Sequence, residues 1–357
     1  MRRSRFLNPW ELQQKIFFLP GIFIRNACPV NTNLWQEYMN CRDPEAQNNS
    51  PRLCGNTFLI SICINPKQMV TGEKIISISL QDIRDAQQRI AGKVNRTPLI
   101  RFYYDNFPGE IYLKLENLQP IGSFKMRGAC NAISVADKSL LAEGVYTASA
   151  GNMAQGVAWI AKMLNIPCMV IVPDHAPQTK LDAITRLGAK FIKIPFNDWW
   201  QVIVTRKFEG MKGLFIHPVA DPAVIAGNGT IGLEILDDVP AVDTVIVPYG
   251  GGGLISGIAT AIKAINPAVK IFASEVETAA PLAPSLAAGQ PVKVEYTASF
   301  VDGMGSGGLL AEMWPLVSRL VNDSIVLSLK EIANAIKLLI ERSRVVAEGA
   351  GGSSLAA

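Results

Sequence analysis

The chain is poor in the residues that metal and redox chemistry draw on: it holds two histidines among 357 residues, and its six cysteines form no C-x-x-C pair. Zinc is therefore not expected, and free thiols in a reducing cytoplasm are. A long apolar run is also missing. The nearest, Ile16 to Ile24, is broken by Pro20 and Gly21 and falls short of the roughly 18 residues that span a bilayer. Arg2, Arg3 and Arg5 precede it as in a signal peptide, but no small-residue cleavage pattern follows. A cytoplasmic protein with no membrane partner is expected. Charge of one sign is lacking too: 34 Lys plus Arg against 30 Asp plus Glu leave a net +4, which provides no field that calls for nucleic acid.

What is present is apolar. The chain is 49% hydrophobic and 18% charged, against about 25% charge in ordinary domains, and this excludes disorder for most of it. The length suits two domains or one large one. Residues 1–75 show no 2.0 or 3.6 residue period, contain the loop cluster Asn48-Asn49-Ser50-Pro51, and hold Cys28, Cys41, Cys54 and Cys63. They are taken as an extension of unclear structure, with no chemistry assigned. From Ile76 onward, short β-branched runs alternate with amphipathic segments, the pattern of parallel β-α-β units. The fold class is α/β, with strands expected at 144–147, 168–172, 190–194, 244–247, 270–273 and 324–327. Ser328 and Glu331 form a capping box for a helix running to about residue 343. No repeat at a 20 to 50 residue period is visible.

Three helix starts carry chemistry, two of them directly after a strand and one after the loop Gln119-Pro120-Ile121-Gly122. Val245 to Tyr249 followed by Gly250, Gly251, Gly252 and Gly253, then an apolar helix from Leu254, makes an anion cradle: residues without Cβ let backbone N–H groups approach a phosphate, and the helix dipole favours it. The spacing Gly251, Gly253, Gly257 with Glu275 also matches a dinucleotide site formally, one residue too long. In Ser123-Phe124-Lys125-Met126-Arg127-Gly128-Ala129, an amine near another cation and apolar neighbours is expected to have its pKa lowered, which favours a Schiff base. A solvated lysine is the plain alternative. In Ser149-Ala150-Gly151-Asn152-Met153-Ala154-Gln155-Gly156, small residues and Asn at a helix start suit a carboxylate or a ring oxygen, or simply cap the helix. His217 is expected to be a satisfied strand-end histidine, not an acid or base.

Together and in this order, S-F-K-M-R-G-A, S-A-G-N-M-A-Q-G and the tetraglycine resemble the fold type II pyridoxal phosphate enzymes, in the threonine/serine dehydratase and serine racemase branch. Asn95-Arg96-Thr97-Pro98-Leu99, Pro222 to Gly227 with Gly229-Thr230, Val301-Asp302-Gly303 and Glu348-Gly349-Ala350-Gly351 extend the likeness from about Ile76 to the last residue. The resemblance implies a two-domain α/β architecture of open, mostly parallel twisted sheets with helices on both faces. The larger, cofactor-binding domain would span 76–143 and 220–357, and the smaller one 144–219. It implies pyridoxal 5'-phosphate as cofactor, linked to Lys125, the catalytic base. Phe124, Asn152, Gly250 to Gly253, Leu254 and Glu348 would hold the cofactor, and Ser149, Ala150, Gly151 and Ser306 the substrate. The implied reaction is β-elimination from a hydroxy amino acid, in a homodimer.

The sequence also departs from the branch. Met153 stands where His is usual, and Ala150 where a racemase has its second base, so dehydration is favoured over racemization. Glu275 and Ala279 match a cation site of the racemase-like members but Pro281 replaces its carboxylate, and no metal is predicted. Gly305 and Ser306, near the substrate side chain by likeness, leave room for a larger β-substituent such as an aryl group. The chain stops where the branch continues with a strand carrying a serine beside the pyridine nitrogen, which implies a truncated or impaired chain with an open sheet edge. A noncatalytic cofactor-binding relative and a nicotinamide oxidoreductase are the other classes in play.

Overall fold

The computed structural model describes residues 76–105 and 107–357, together with the backbone of one strand, Ile22–Asn26. The rest of 1–75, including the four N-terminal cysteines, lies outside the described residues. In chain order the elements begin with β1 (Ile22–Asn26), α1 (Leu80–Ile90), β2 (Leu99–Phe102), β3 (Glu110–Lys114), α2 (Lys125–Val135) and α3 (Lys138–Ala142). A second group follows: β4 (Val145–Ala148), α4 (Asn152–Met163), β5 (Cys168–Pro173), α5 (Gln178–Arg186), β6 (Lys190–Ile194), α6 (Phe196–Thr205) and β7 (Leu214–Phe215). The chain then runs through α7 (Pro222–Asp238), β8 (Thr244–Pro248), α8 (Gly253–Ile265), β9 (Lys270–Val276), α9 (Leu282–Ala288), α10 (Trp314–Leu320), β10 (Asp323–Leu327), α11 (Leu329–Leu338) and α12 (Gly349–Ala356).

These strands make two sheets. The four-stranded sheet, ordered β6-β5-β4-β7, is parallel throughout, and short apolar strands such as Val145–Ala148, buried at every position, suit a sheet covered on both faces. The six-stranded sheet, ordered β10-β9-β8-β1-β3-β2, is parallel from β10 to β8 and antiparallel from β8 to β2. Its helix α11 starts at the anticipated capping box of Ser328 and Glu331. A π-helical turn then carries the chain over Leu339–Ser343.

Within the stretch taken as an extension of unclear structure, β1 lies inside the larger sheet, antiparallel to β3 with Ile22 opposite Lys114 and to β8 with Phe23 opposite Ile246. Its sequence, Ile-Phe-Ile-Arg-Asn, is rich in β-branched and aromatic residues. The sheet is consequently not left open beside β8. The facing backbone groups of β8 and β3 find partners on β1, and the edges are β10 and β2.

Helix α7 is the axis of packing. A Cβ on Gly257 of α8 would lie 2.3 Å from the Ile225 carbonyl, and one on Gly227 would lie 2.4 Å from that of Arg127, so α7 touches both α8 and α2 backbone to backbone. Between α2, α7 and β3 lies a fully buried group of charges. Arg127 binds Glu116 through Nε at 2.9 Å and Nη2 at 2.8 Å, and Glu234 through Nη1 at 2.6 Å and Nη2 at 2.9 Å. Lys114 reaches Glu234 at 2.6 Å. Burial by itself would raise the Glu116 carboxyl, but the Arg127 guanidinium outweighs it and holds the group below the usual carboxylate range. Arg127→Leu would leave two enclosed carboxylates facing an apolar side chain. We expect it to cost about 3–5 kcal/mol of stability, read as a lower urea midpoint at unchanged slope.

Candidate active site

Lys125 is the first residue of α2 and Arg127 the third. At 100° per residue the two side chains leave the helix about 200° apart, so one enters the core and the other a cavity. Lys125 Nζ donates to the Pro218 carbonyl at 3.0 Å and lies 5.3 Å from the centre of the Phe124 ring. Burial pushes its amine down to about 8, against the opposing pull of the Glu348 carboxylate. The expected direction is met, through the second of the two expected causes, burial, and not through a neighbouring cation. Arg127 is turned away and neutralised by Glu116 and Glu234, and desolvation does the work.

Across the cavity, β8 ends in the glycine loop. Gly252 is the N-cap of α8, with φ at +93°, and no side chain caps the helix, so its first N–H groups are free for an anion. The loop cannot carry side chains at its centre. A Cβ on Gly251 would come within 2.6 Å of Val219 Cγ2, and one on Gly253 within 2.8 Å of the Val219 carbonyl. Val219 is itself held by His217, whose Nδ1 accepts from the N–H groups of Val219 at 3.0 Å and Ala220 at 2.8 Å. Burial pushes His217 down to about 3, with Arg206 and Lys125 acting in the same direction, so it stays a neutral acceptor.

The third junction leads from β4 into α4. The N-cap there is Gly151 and no side chain caps the helix. Ser149 Oγ accepts only from Gly151 N at 3.2 Å, and Asn152 Nδ2 donates across to Glu348 Oε1 at 3.1 Å. Plain helix capping is therefore not what these residues do. Glu348 precedes α12. Burial pushes its carboxyl up to about 8, Asp302 adds to the rise, and Lys180, Asn152 and Lys125 oppose it.

A cavity of about 350 Å³ brings together Lys125 with Phe124, the stretch Ser149 to Asn152, Gly250 to Leu254, and Glu348. Ser306 is not part of its lining; its hydroxyl donates to the Gly308 carbonyl at 2.6 Å. Glu275 is not free for a cation or a ribose, since its carboxylate accepts the N–H groups of Leu282 and Ala283 at 2.8 Å each and the Ser324 hydroxyl at 2.7 Å. Sequence reasoning missed Val219, Lys180, Met304 and the aromatic pair Phe196 and Trp199, which also face the cavity. Val219 and Lys180 adjoin no motif that signals their place, whereas Met304 follows directly on Val301-Asp302-Gly303.

A primary amine of lowered pKa, a glycine cradle with free helix N–H groups, and a polar side chain between them fit an aldehyde cofactor that bears a phosphate. The comparisons with known proteins agree. The family described as "Pyridoxal-phosphate dependent enzyme" matches residues 90–357, and the chain belongs to it; pyridoxal phosphate is its cofactor. An L-threonine ammonia-lyase of Thermotoga maritima is 42% identical over 287 residues, covering 78% of this chain and 71% of that protein. The catabolic L-threonine dehydratase of Escherichia coli is 40% identical over 287 residues, covering 79% and 87%. Among solved structures, maize serine racemase superposes with a TM-score of 0.71 at 36% identity, covering 78% of this chain and 85% of that one.

Because the Lys125 amine loses its proton near pH 8, and only the neutral amine attacks an aldehyde, the rate of covalent loading with pyridoxal phosphate is expected to rise from pH 7 and level off above pH 9. Following the visible absorption band after mixing measures this. Gly251→Ala is expected to weaken loading at every pH by crowding Val219, without moving the midpoint.

Proposed function

We propose that the protein is a pyridoxal phosphate-dependent ammonia-lyase that eliminates water from a hydroxy amino acid such as L-threonine or L-serine. The observation that carries this reading is Lys125, whose amine enters the cavity beside the glycine cradle with a lowered pKa and a backbone carbonyl as its hydrogen-bond partner. The relatives named for threonine support the substrate class.

When bound, pyridoxal phosphate supplies an electron sink for the Cα–H bond of an amino acid. The other roles belong to the chain. The N–H groups of Gly250 to Gly253 and the α8 N-terminus would hold the phosphate, and Phe124 and Leu254 would contact the ring. Asn152, which donates to Glu348 in the structure, would hydrogen-bond the ring hydroxyl of the bound cofactor. Ser149, Ala150 and Gly151 receive the substrate carboxylate at the start of α4. Lys125 takes the Cα proton on Nζ, and a pKa near 8 suits a base that works close to neutral pH. The β-hydroxyl leaves with one proton as water. The released enamine then takes up one water, so L-threonine yields 2-oxobutanoate and ammonia.

Racemization is the second reading, since maize serine racemase is among the similar folds. Ala150 brings no proton carrier to the cavity, which favours elimination. A homodimer in the cytoplasm goes with the same branch, and light scattering on the loaded protein checks the first of these. The decisive assay adds L-threonine to the loaded protein. We expect 2-oxobutanoate and ammonia to accumulate, and Lys125→Ala to lower turnover by at least about 10²-fold. A visible band that ignores both amino acids would identify a noncatalytic relative, and D-serine from L-serine without ammonia a racemase.

A further inference from the structure

Two polar bridges join residues that line the cavity, one enclosed and one reached by water. Each joins the part of the chain that carries the four-stranded sheet to the part that carries the six-stranded one. The first is the Asn152 to Glu348 hydrogen bond at 3.1 Å. The second is an ion pair between Lys180 Nζ, on α5, and Asp302 Oδ2 at 2.7 Å. Lys180 and Asp302 both face the cavity. Asp302 is next in sequence to the backbone that packs on the buried carboxyl, for a Cβ on Gly303 would lie 2.7 Å from Glu348 Oε1. The loop of Asp302 and Gly303 thus packs on Glu348 and is tied to α5 by Lys180.

A further ion pair joins the same two parts elsewhere. Arg206, just after α6, binds Glu312 at 2.6 Å and the Ala220 carbonyl at 2.8 Å. Ala220 belongs to the connection from β7 to α7, where the chain passes from one sheet to the other, and neither Arg206 nor Glu312 lines the cavity. That pair lies by the connection between the parts, and Lys180–Asp302 lies among the residues that line the cavity, where water reaches it.

From this placement we propose that Lys180 and Asp302 form a latch that holds segment 144–219 closed over the cavity, so that Lys180 is a positioning residue which retains cofactor and substrate without taking part in bond making. The proposal rests on the reading of the cavity given above. The side chains of Lys180 and Asp302 are 29% and 54% exposed, and a pair that meets water to this extent shifts an open-to-closed equilibrium by about two- to five-fold, less at high salt. Such a latch opens readily, as a site that must admit and release small molecules requires.

The test uses the protein loaded with pyridoxal phosphate and follows the rate at which hydroxylamine strips the cofactor, seen as loss of the visible band. This readout needs no turnover, so it stands whether or not L-threonine is the substrate. Lys180→Met and Asp302→Asn are each expected to speed stripping about two- to five-fold at low salt. The double variant should be no faster than either single one, since the two residues share one interaction. Lys180→Arg should restore the wild-type rate, and Arg206→Met, which breaks the pair by the connection, should leave it unchanged. Raising the salt should speed stripping in the wild type but not in Lys180→Met. If the protein turns over an amino acid, the latch variants should raise KM by the same factor with little change in kcat. Wild-type rates in both single variants, or effects that multiply in the double, would overturn the proposal. So would an Arg206→Met variant as fast as Lys180→Met.

Discussion

Arg127 turns its five N–H groups to six acceptor atoms of the protein in a place that water does not reach, and much of the site takes its geometry from that. Its guanidinium spans Glu116 and Glu234 and adds the Thr230 hydroxyl and the Asn95 carbonyl. Taking a cation and two carboxylates out of water is costly. The cost is offset because Lys114 supplies the second positive charge, donating to the Thr97 carbonyl as well as to Glu234, and Thr97 Oγ1 donates to Glu116. Two cations thus face two anions with nearly every polar atom engaged. An arrangement so specific has one good geometry, and it fixes the rotation of α2. Since Lys125 leaves the same helix on the opposite side, the cluster also fixes where the reactive amine stands.

The same constraint gives a meaning to motifs that look unrelated in the sequence. Asn95 and Thr97 offer carbonyls to Arg127 and Lys114, so the stretch before β2 serves the cluster and not the cavity. Thr230 and Glu234 lie four residues apart on α7, on one face, and the glycines of that helix allow it to approach α2 closely enough for Glu234 to reach Arg127. Backbone contact, buried charge and the position of Lys125 are one arrangement seen from three sides.

Much of this was legible because the informative residues are contiguous. Strands β4, β5, β6, β8, β9 and β10 are short apolar runs set between helical patterns, and two of the three chemical motifs sit where such a strand, β4 or β8, passes into a helix. β2 and β3 were not found, because Leu-Ile-Arg-Phe and Glu-Ile-Tyr-Leu-Lys alternate only weakly and follow turn-forming residues. β7 has two residues and carries no period at all. β1 lies in a stretch without periodicity and becomes a strand through the partners on either side of it. In the site, the glycine cradle and Lys125 could be found from local sequence. Val219, Lys180 and Asp302 could not be placed, for their positions follow from how two sheets pack. Arg127 was assigned to the wrong neighbour for the same reason, since proximity in sequence says nothing about which face of a helix a side chain takes.

The electrostatics of the cavity follow from that separation of faces. Had Arg127 shared the space with Lys125, its charge would have been a second reason for a neutral amine, and an anionic substrate would have met two cations. With Arg127 spent on Glu116 and Glu234, the cavity keeps, besides the Lys180–Asp302 ion pair, one amine and one carboxyl, Lys125 and Glu348, each moved by burial toward its neutral form and each drawing the other back. Both then titrate near pH 8, and a proton passing onto or off either group changes the charge of a small enclosed space. The anion-binding capacity lies instead in backbone, at the glycine loop and at the start of α4, where N–H groups hold their partial charge at any pH. Fixed dipoles for phosphate and carboxylate, with titratable groups reserved for protons, are a division of labour that the helix rotation set by Arg127 makes possible.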